Sequence, residues 1–188
     1  MDLTITLENN EQDLIAACVK NEEWAQKNLY ESFYPILYPI CIRYAVDKEE
    51  ALDILHEGFI KVFRNIAKYQ SGTNLKAWVK RIIVNTAIDN YRKTSKNRTS
   101  DLDQAYDVCS LDADAVSQIT AEDIMSAIQE LPAQYRTIFN LFVIEGYSHA
   151  EIGEKLAINE STSRSNLAKA RKKLKAIIVK KGIVEYAR

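Results

Sequence analysis

Along most of this chain the apolar residues return every three or four positions, and no stretch of useful length alternates apolar with polar. That period is the signature of helices with one buried face, and it leaves little room for a sheet. The clearest case runs through "AVDKEEALDILHEGFIKVFRNIAKY", where Ala51, Ile54, Leu55, Phe59, Val62, Phe63 and Ile66 share one face. Asp47 is placed to cap this helix, and Glu50, three residues on, completes a capping box. Gly58 in its middle costs about 1 kcal/mol of helix propensity relative to Ala, and the sequence offers no reason for it. From Glu11 to Tyr44 the same spacing recurs in Leu14, Ala17, Cys18, Leu29, Phe33, Ile36, Leu37, Ile40 and Cys41. Pro35 and Pro39 are expected to lie in or near a break between two helices, because proline removes an N–H and crowds the preceding turn. "YQSGTN" reads as a loop, and "LKAWVKRIIVNTAIDNYRK" as the next helix. Only five Gly and three Pro in 188 residues agree with an all-α chain.

The helical pattern lapses after Lys93 and resumes near Ala121, and the charge changes over the same stretch. The formal net charge of −1 conceals a segregation. Residues 1–98 carry 14 basic and 13 acidic groups. Residues 99–126 carry seven acids (Asp101, Asp103, Asp107, Asp112, Asp114, Glu122 and Asp123) and no base. Between Arg164 and Lys181 there are eight bases and no acid. An acidic connector followed by a basic helix suggests a basic groove for the first and a polyanion for the second. A solvated Lys-rich helix face and a flexible tether are the plainer readings of the same counts.

The C-terminal block contains two helices broken at Leu131-Pro132, and Gly146 is placed to end the second. Ser148-His149-Ala150-Glu151 is a capping box, so a further helix starts at His149, with Ile152 and Leu156 on its inner face. "AIN" is a short turn, and Asn159 is expected to cap the following helix by accepting a backbone N–H. In that last helix Ser163, Leu167, Ala170 and Leu174 fall on one face, while Arg164, Ser165, Ala168, Lys169, Arg171 and Lys172 fall on the remainder. This is a helix-turn-helix pattern, whose second helix offers hydrogen-bond donors to a major groove. Ser165 and Ala168 are small enough to permit close approach, and Arg164 and Lys169 can reach base edges or phosphates. An ordinary helical hairpin with a polar face is the alternative on these residues alone.

Other classes find little support. Cys18, Cys41 and Cys109 are odd in number and far apart, and His56 and His149 are the only histidines, so neither a disulfide framework nor a zinc site is indicated. Small buried thiols are the expected state. No Gly-rich phosphate loop, nucleophile elbow or metal-ligand cluster marks an enzyme or a cofactor site. No apolar run approaches a membrane span, and "MDLTITLENNEQ" lacks the features of a signal peptide, which points to the cytoplasm.

Two blocks together carry a family resemblance. "EEALDILHEGFIKVFRNI" followed by "LKAWVKRIIVNTAIDNYRK" is similar to the second conserved region of the extracytoplasmic-function (ECF) sigma factors, the small two-domain branch of the sigma-70 family. "LPAQYRTIFNLFVIEGYSHAEIGEKLAINESTSRSNLAKARKKL" is similar to their fourth region. The resemblance implies an all-α chain with a region 2-like domain over 8–95, an acidic linker over 96–120 and a region 4-like domain over 121–183. It further implies a protein that binds core RNA polymerase and directs it to a two-element promoter, held inactive by an anti-sigma factor until a signal arrives.

Site residues follow from the resemblance by position. Contacts to a coiled coil of the largest polymerase subunit fall on Asp53, His56, Glu57 and Ile60, with His56 standing where the family commonly has Gln. The upstream (−35) element is read by Arg164, Ser165, Ala168 and Lys169, with Arg171 and Lys172 adding phosphate attraction. Ser163 stands where Val is usual and Asn166 where a basic residue is common. The downstream (−10) element is melted and captured as single strand by the loop and helix bearing Tyr69, Asn74, Lys80, Arg81, Asn85, Asp89 and Arg92. Trp78 could stack on a base, but a core position packed with Ile82 is the favoured reading. The linker is expected to run through the RNA-exit path of the polymerase.

Two rival functions remain at this point. A helix-turn-helix operator-binding regulator would explain the C-terminal block but not the first. A helical adaptor with a basic face would need neither DNA nor polymerase.

Overall fold

The computed structural model describes residues 3–95 and 120–182. The acids at 101, 103, 107, 112 and 114 and Cys109 lie outside the described residues. Eight α-helices make up nearly all that is described, with no strand among those residues. In order they are α1 (Leu3–Val19), α2 (Glu23–Tyr44), α3 (Lys48–Asn65), α4 (Leu75–Ser95), α5 (Ala121–Gln129), α6 (Ala133–Phe139), α7 (His149–Leu156) and α8 (Glu160–Lys180). A 3₁₀ turn, Ile66–Lys68, follows α3, and a π-helical turn, Asn140–Ile144, extends α6. The chain divides into two compact units, Met1–Ala87 and Ile88–Arg188.

In the first unit α2 packs on α3 and α1 packs on α2. Leu29, Leu37, Leu55, Val62, Val79 and Ile83 are fully buried. Asp47 caps α3, accepting from the Glu50 N–H at 2.8 Å, while the Glu50 carboxylate accepts from the N–H of Val46, one residue before the cap. The expected break at Pro35 and Pro39 does not occur: both lie inside the continuous α2. The two prolines are four residues apart on the exposed side, so the carbonyls they orphan can turn to water. A helix-interior proline costs roughly 3 kcal/mol. The same helix buries Ala25, Leu29, Leu37, Ile40, Cys41 and Tyr44, and each large apolar side chain among them contributes about 1.5–3 kcal/mol. Packing therefore outweighs the local penalty.

Gly58 now has a cause. A Cβ built there would lie 2.3 Å from Ile83 Cδ1 on α4, well inside any real contact. The missing side chain lets α4 seat its fully buried Ile83 against α3. Cys18 and Cys41 are buried free thiols, and burial pushes Cys41 up to about 12.

In the second unit α8 is the central element, with α5, α6 and α7 all packed on it. Ile128, Leu131, Ile138, Leu141, Ile152, Leu167 and Ala170 form its core. Thr120 and Asp123 make a full capping box at the start of α5. Across the Leu131-Pro132 break, the buried Arg136 donates from Nη1 to the Gln129 carbonyl at 2.9 Å, satisfying a helix-end acceptor. Lys181 ties the end of α8 back to α5, with Nζ 2.6 Å from Glu130 and 2.7 Å from Ser126 Oγ. Gly146, at φ +78°, adopts the left-handed conformation that follows the π turn, and the Tyr147 N–H closes onto the Leu141 carbonyl at 2.9 Å.

Candidate nucleic-acid and polymerase interfaces

A capped helix start and a bonded turn set the geometry of α7 and α8. Ser148 and Glu151 bond reciprocally at the start of α7, at 2.8 and 3.2 Å, and these hydrogen bonds hold the Glu151 carboxyl below the usual range. Ala157 ends the helix in the left-handed region at φ +55°. Ile158 then donates to the Gly153 carbonyl at 3.0 Å. A Cβ at Gly153 would lie 2.9 Å from the Ile158 carbonyl oxygen, so the turn folds back onto α7 where only glycine leaves room. The expected side-chain cap from Asn159 is absent: Asn159 occupies the cap position in extended backbone, but its side chain makes no capping bond. The bonded turn holds the helix start in place without it, and Ser163 N–H donates to the Asn159 carbonyl at 3.0 Å.

The two helices are joined by side chains that no local pattern connects. His149 Nδ1 and Ser163 Oγ share a hydrogen bond of 2.9 Å, and the imidazole stacks on Phe142 at 4.3 Å between ring centres. Partial burial lowers the His149 pKa, with the Arg164 cation adding to that effect and Glu160 opposing it. Ser163 and Asn166, the two departures from the family pattern, both point inward and are buried. Ser163 owes its polarity to the histidine bond.

Arg164, Ser165, Ala168, Lys169, Arg171 and Lys172 are all exposed, on the side of α8 away from its core. Arg164 is paired with Glu160 one turn earlier. The Arg171 guanidinium lies over Phe142, 5.9 Å from its centre. Ser165 donates to the Thr162 carbonyl at 3.1 Å, keeping its hydroxyl close to the helix. The helix therefore presents a small-residue strip flanked by cations, which suits close approach to a polyanion.

On α3, Asp53, His56, Glu57 and Ile60 recur at spacings of three and four, so they line one stripe opposite Ile54, Leu55, Phe59 and Val62. Asp53, His56 and Ile60 are exposed, with Ile60 at 48%. Glu57 is half-buried and pairs with Lys61 at 3.3 Å. His56 Nε2 lies 3.3 Å from the Tyr30 hydroxyl on α2, and the two rings stack at 6.2 Å. That bond ties the imidazole to α2, between Asp53 and Glu57, with the apolar Ile60 at the end of the stripe.

The residues at the loop and on α4 divide into two sorts. Tyr69 is buried, and its hydroxyl reaches the Thr73 carbonyl and, at 3.4 Å, Glu11 on α1, so it braces the loop from beneath. Asn74 is exposed and caps α4, accepting from the Ala77 N–H at 2.9 Å. Arg81, Asp89 and Arg92 are exposed, and Lys80 and Asn85 half-buried, along one helix. Trp78 is half-buried with its ring 5.5 Å from Tyr69, so it supports the loop without lying in the core proper.

Three features were not among the sequence-derived site residues: the His149–Ser163 bond, the Phe142 stack and the Glu160–Arg164 pair. The spacing of four between Glu160 and Arg164 was a signal available in the sequence.

Residues 29–97 match the family model described as Sigma-70 region 2, and residues 121–174 the one described as Sigma-70, region 4. The chain is similar to ECF RNA polymerase sigma factor SigE of Mycolicibacterium smegmatis, 31% identical over 149 residues, covering 77% of this chain and 58% of that protein. It is similar to ECF RNA polymerase sigma factor SigM of Mycobacterium tuberculosis at 26% over 172 residues, covering 91% and 86%. To RNA polymerase sigma factor SigV of Bacillus subtilis it is 30% identical over 146 residues, covering 78% and 86%. Among the described residues, no helix is long and apolar enough to cross a membrane.

Proposed function

Because the chain belongs to the sigma-70 family, in its ECF branch, we propose that it binds core RNA polymerase and directs transcription initiation at a promoter with two recognition elements. The observation that carries this reading is the presence, in one chain, of an acid-bearing exposed stripe on α3 and an exposed basic strip on the second helix of a helix-turn-helix. A DNA-binding regulator needs only the second.

In this reading residues 8–95 form the core-binding and −10-reading domain, and residues 121–183 the −35-reading domain. Asp53, Glu57 and the ring of His56 meet a basic coiled coil of the polymerase, and Ile60 adds apolar contact at its edge. On α8, Arg164, Ser165, Ala168 and Lys169 face base edges, while Arg171 and Lys172 meet phosphates. Arg81, Asn85, Asp89 and Arg92 follow the unpaired strand along α4, with Lys80 on its backbone and Asn74 at the loop rim. Tyr69 acts here as the brace of that loop. The acidic stretch 96–120 joins the domains along the RNA-exit path. An anti-sigma factor controls the protein by covering the polymerase-binding surface, and the protein works in the cytoplasm without chemical catalysis of its own.

The test mixes the purified protein with core RNA polymerase and a fragmented genomic library, then maps transcript starts. New starts sharing two spaced motifs are the expected result. No new starts, together with no polymerase binding, would reject the proposal in favour of an operator-binding regulator or an adaptor.

A further inference from the structure

Glu160 is an anomaly on α8. It is the one acid of that helix, followed by eight bases up to Lys181. A carboxylate repels phosphate, so its presence at the leading end of a DNA-facing helix lowers general affinity. It sits in the first turn, on the exposed surface with Arg164, where the N-terminal residues of a recognition helix meet base edges. Its side chain is 45% exposed and that of Arg164 64% exposed, and the carboxylate accepts a hydrogen bond from the Arg164 guanidinium. The pair is thus an acceptor and a five-donor fork held side by side, one helical turn apart, at the border between the exposed surface and the buried face that carries Ser163 and Leu167.

We propose that Glu160 is a specificity-determining residue of the −35 contact, accepting a hydrogen bond from the N4 amino group of a cytosine in the major groove. This rests on the reading of α8 as the duplex-reading helix. Among the four bases' major-groove edges, cytosine offers only a donor there, and a carboxylate is acceptor-only, so the match is chemical. Arg164 supplies the complementary preference for guanine O6 and N7 at a neighbouring position. In the free protein each side chain satisfies the other, and on DNA each exchanges its partner for a base. The carboxylate thereby turns a helix of uniform attraction into one that discriminates.

The test uses full-length protein with core RNA polymerase and a promoter library randomised across the upstream element, comparing wild type, Glu160→Gln, Glu160→Ala and Arg164→Ala. The expected result is loss of a cytosine preference at one position in both Glu160 variants, by about 5- to 100-fold, with equal or higher binding to unspecific DNA. Arg164→Ala is expected to relax a different position, at guanine. Two outcomes would overturn the proposal. One is a uniform change in affinity across all sequences. The other is relaxation in the Glu160 variants only at the position mapped by Arg164→Ala, which makes Glu160 a mere support for Arg164. Absence of any upstream-element preference in the wild type would instead strike the reading of α8 itself. Circular dichroism of each variant excludes loss of the helix as the cause, since Glu160 also sits favourably on the helix dipole.

Discussion

His149 Nδ1 and Ser163 Oγ meet at 2.9 Å across the α7–α8 turn, fourteen residues apart in sequence, with the imidazole stacked on Phe142. The bond joins α7 to α8 across the turn, so one side chain of each helix holds the other.

Protonation of that ring bears on stability with a definite sign. Burial holds the His149 pKa below its ordinary value of 6.5, so the unfolded chain binds the proton more readily than the folded one. The stability His149 contributes is complete above about pH 6.5 and is lost as pH falls from there through the depressed folded value. Thermal unfolding from pH 8 to pH 5 should show a loss for wild type that is smaller in His149→Asn. Equal pH slopes in the two proteins would refute the assignment. At pH 8, Ser163→Ala should cost about 1 kcal/mol by leaving the ring nitrogen unpaired.

Gly58 and Ile83 should be energetically coupled. Gly58→Ala brings a methyl to 2.3 Å from Ile83 Cδ1, and overpacking of this kind costs about 1–3 kcal/mol, set against about 1 kcal/mol of helix propensity gained. Ile83→Val deletes Cδ1. In a double-mutant cycle by denaturant unfolding, Gly58→Ala should be less harmful in the Ile83→Val background by at least about 0.5 kcal/mol. Additive effects would show that the helices part easily at this point.

Gly153→Ala should damage the turn itself, because the added Cβ meets the backbone oxygen of Ile158 at 2.9 Å and no side chain can swing away to relieve it. A destabilisation of about 1–3 kcal/mol in the second unit is expected. Hydrogen exchange at the α7 and α8 amides would locate it, and unchanged protection there would count against the close approach.

The two faces should separate by mutation. Arg164→Ala or Lys169→Ala should impair promoter use by roughly tenfold or more while sparing binding to core polymerase. Glu57→Lys reverses the charge of the α3 stripe and should weaken assembly with core polymerase by about tenfold. The C-terminal unit should keep its fold in that variant. Pull-down with core polymerase and run-off transcription, measured side by side, distinguish the two losses. Failure of Arg164→Ala to assemble would contradict the division of labour.

What the sequence determined alone was whatever rests on short-range periodicity and end chemistry. The apolar spacing from Ala51 to Ile66 predicts α3, and Asp47 with Glu50 marks its start. Ser148 with Glu151 marks the start of α7, and the exposed strip of α8 follows from the positions of Leu167, Ala170 and Leu174 alone. These are facts of one or two helical turns, and a turn carries its own instructions. Tertiary structure decided the rest. Proline at 35 and 39 reads locally as a break, yet the buried face of α2 holds the helix continuous. The resemblance puts Tyr69 in the loop expected to capture the unpaired strand, yet its ring is buried beneath that loop, its hydroxyl held by Thr73 and Glu11. Asn159 looks like a capping side chain, but Gly153 and Ile158 fix the turn without it. Gly58 acquires a reason only when Ile83 arrives from another helix, and Ser163 only when His149 does. Each of these depends on atoms far apart in the chain, whose meeting is set by how whole helices pack.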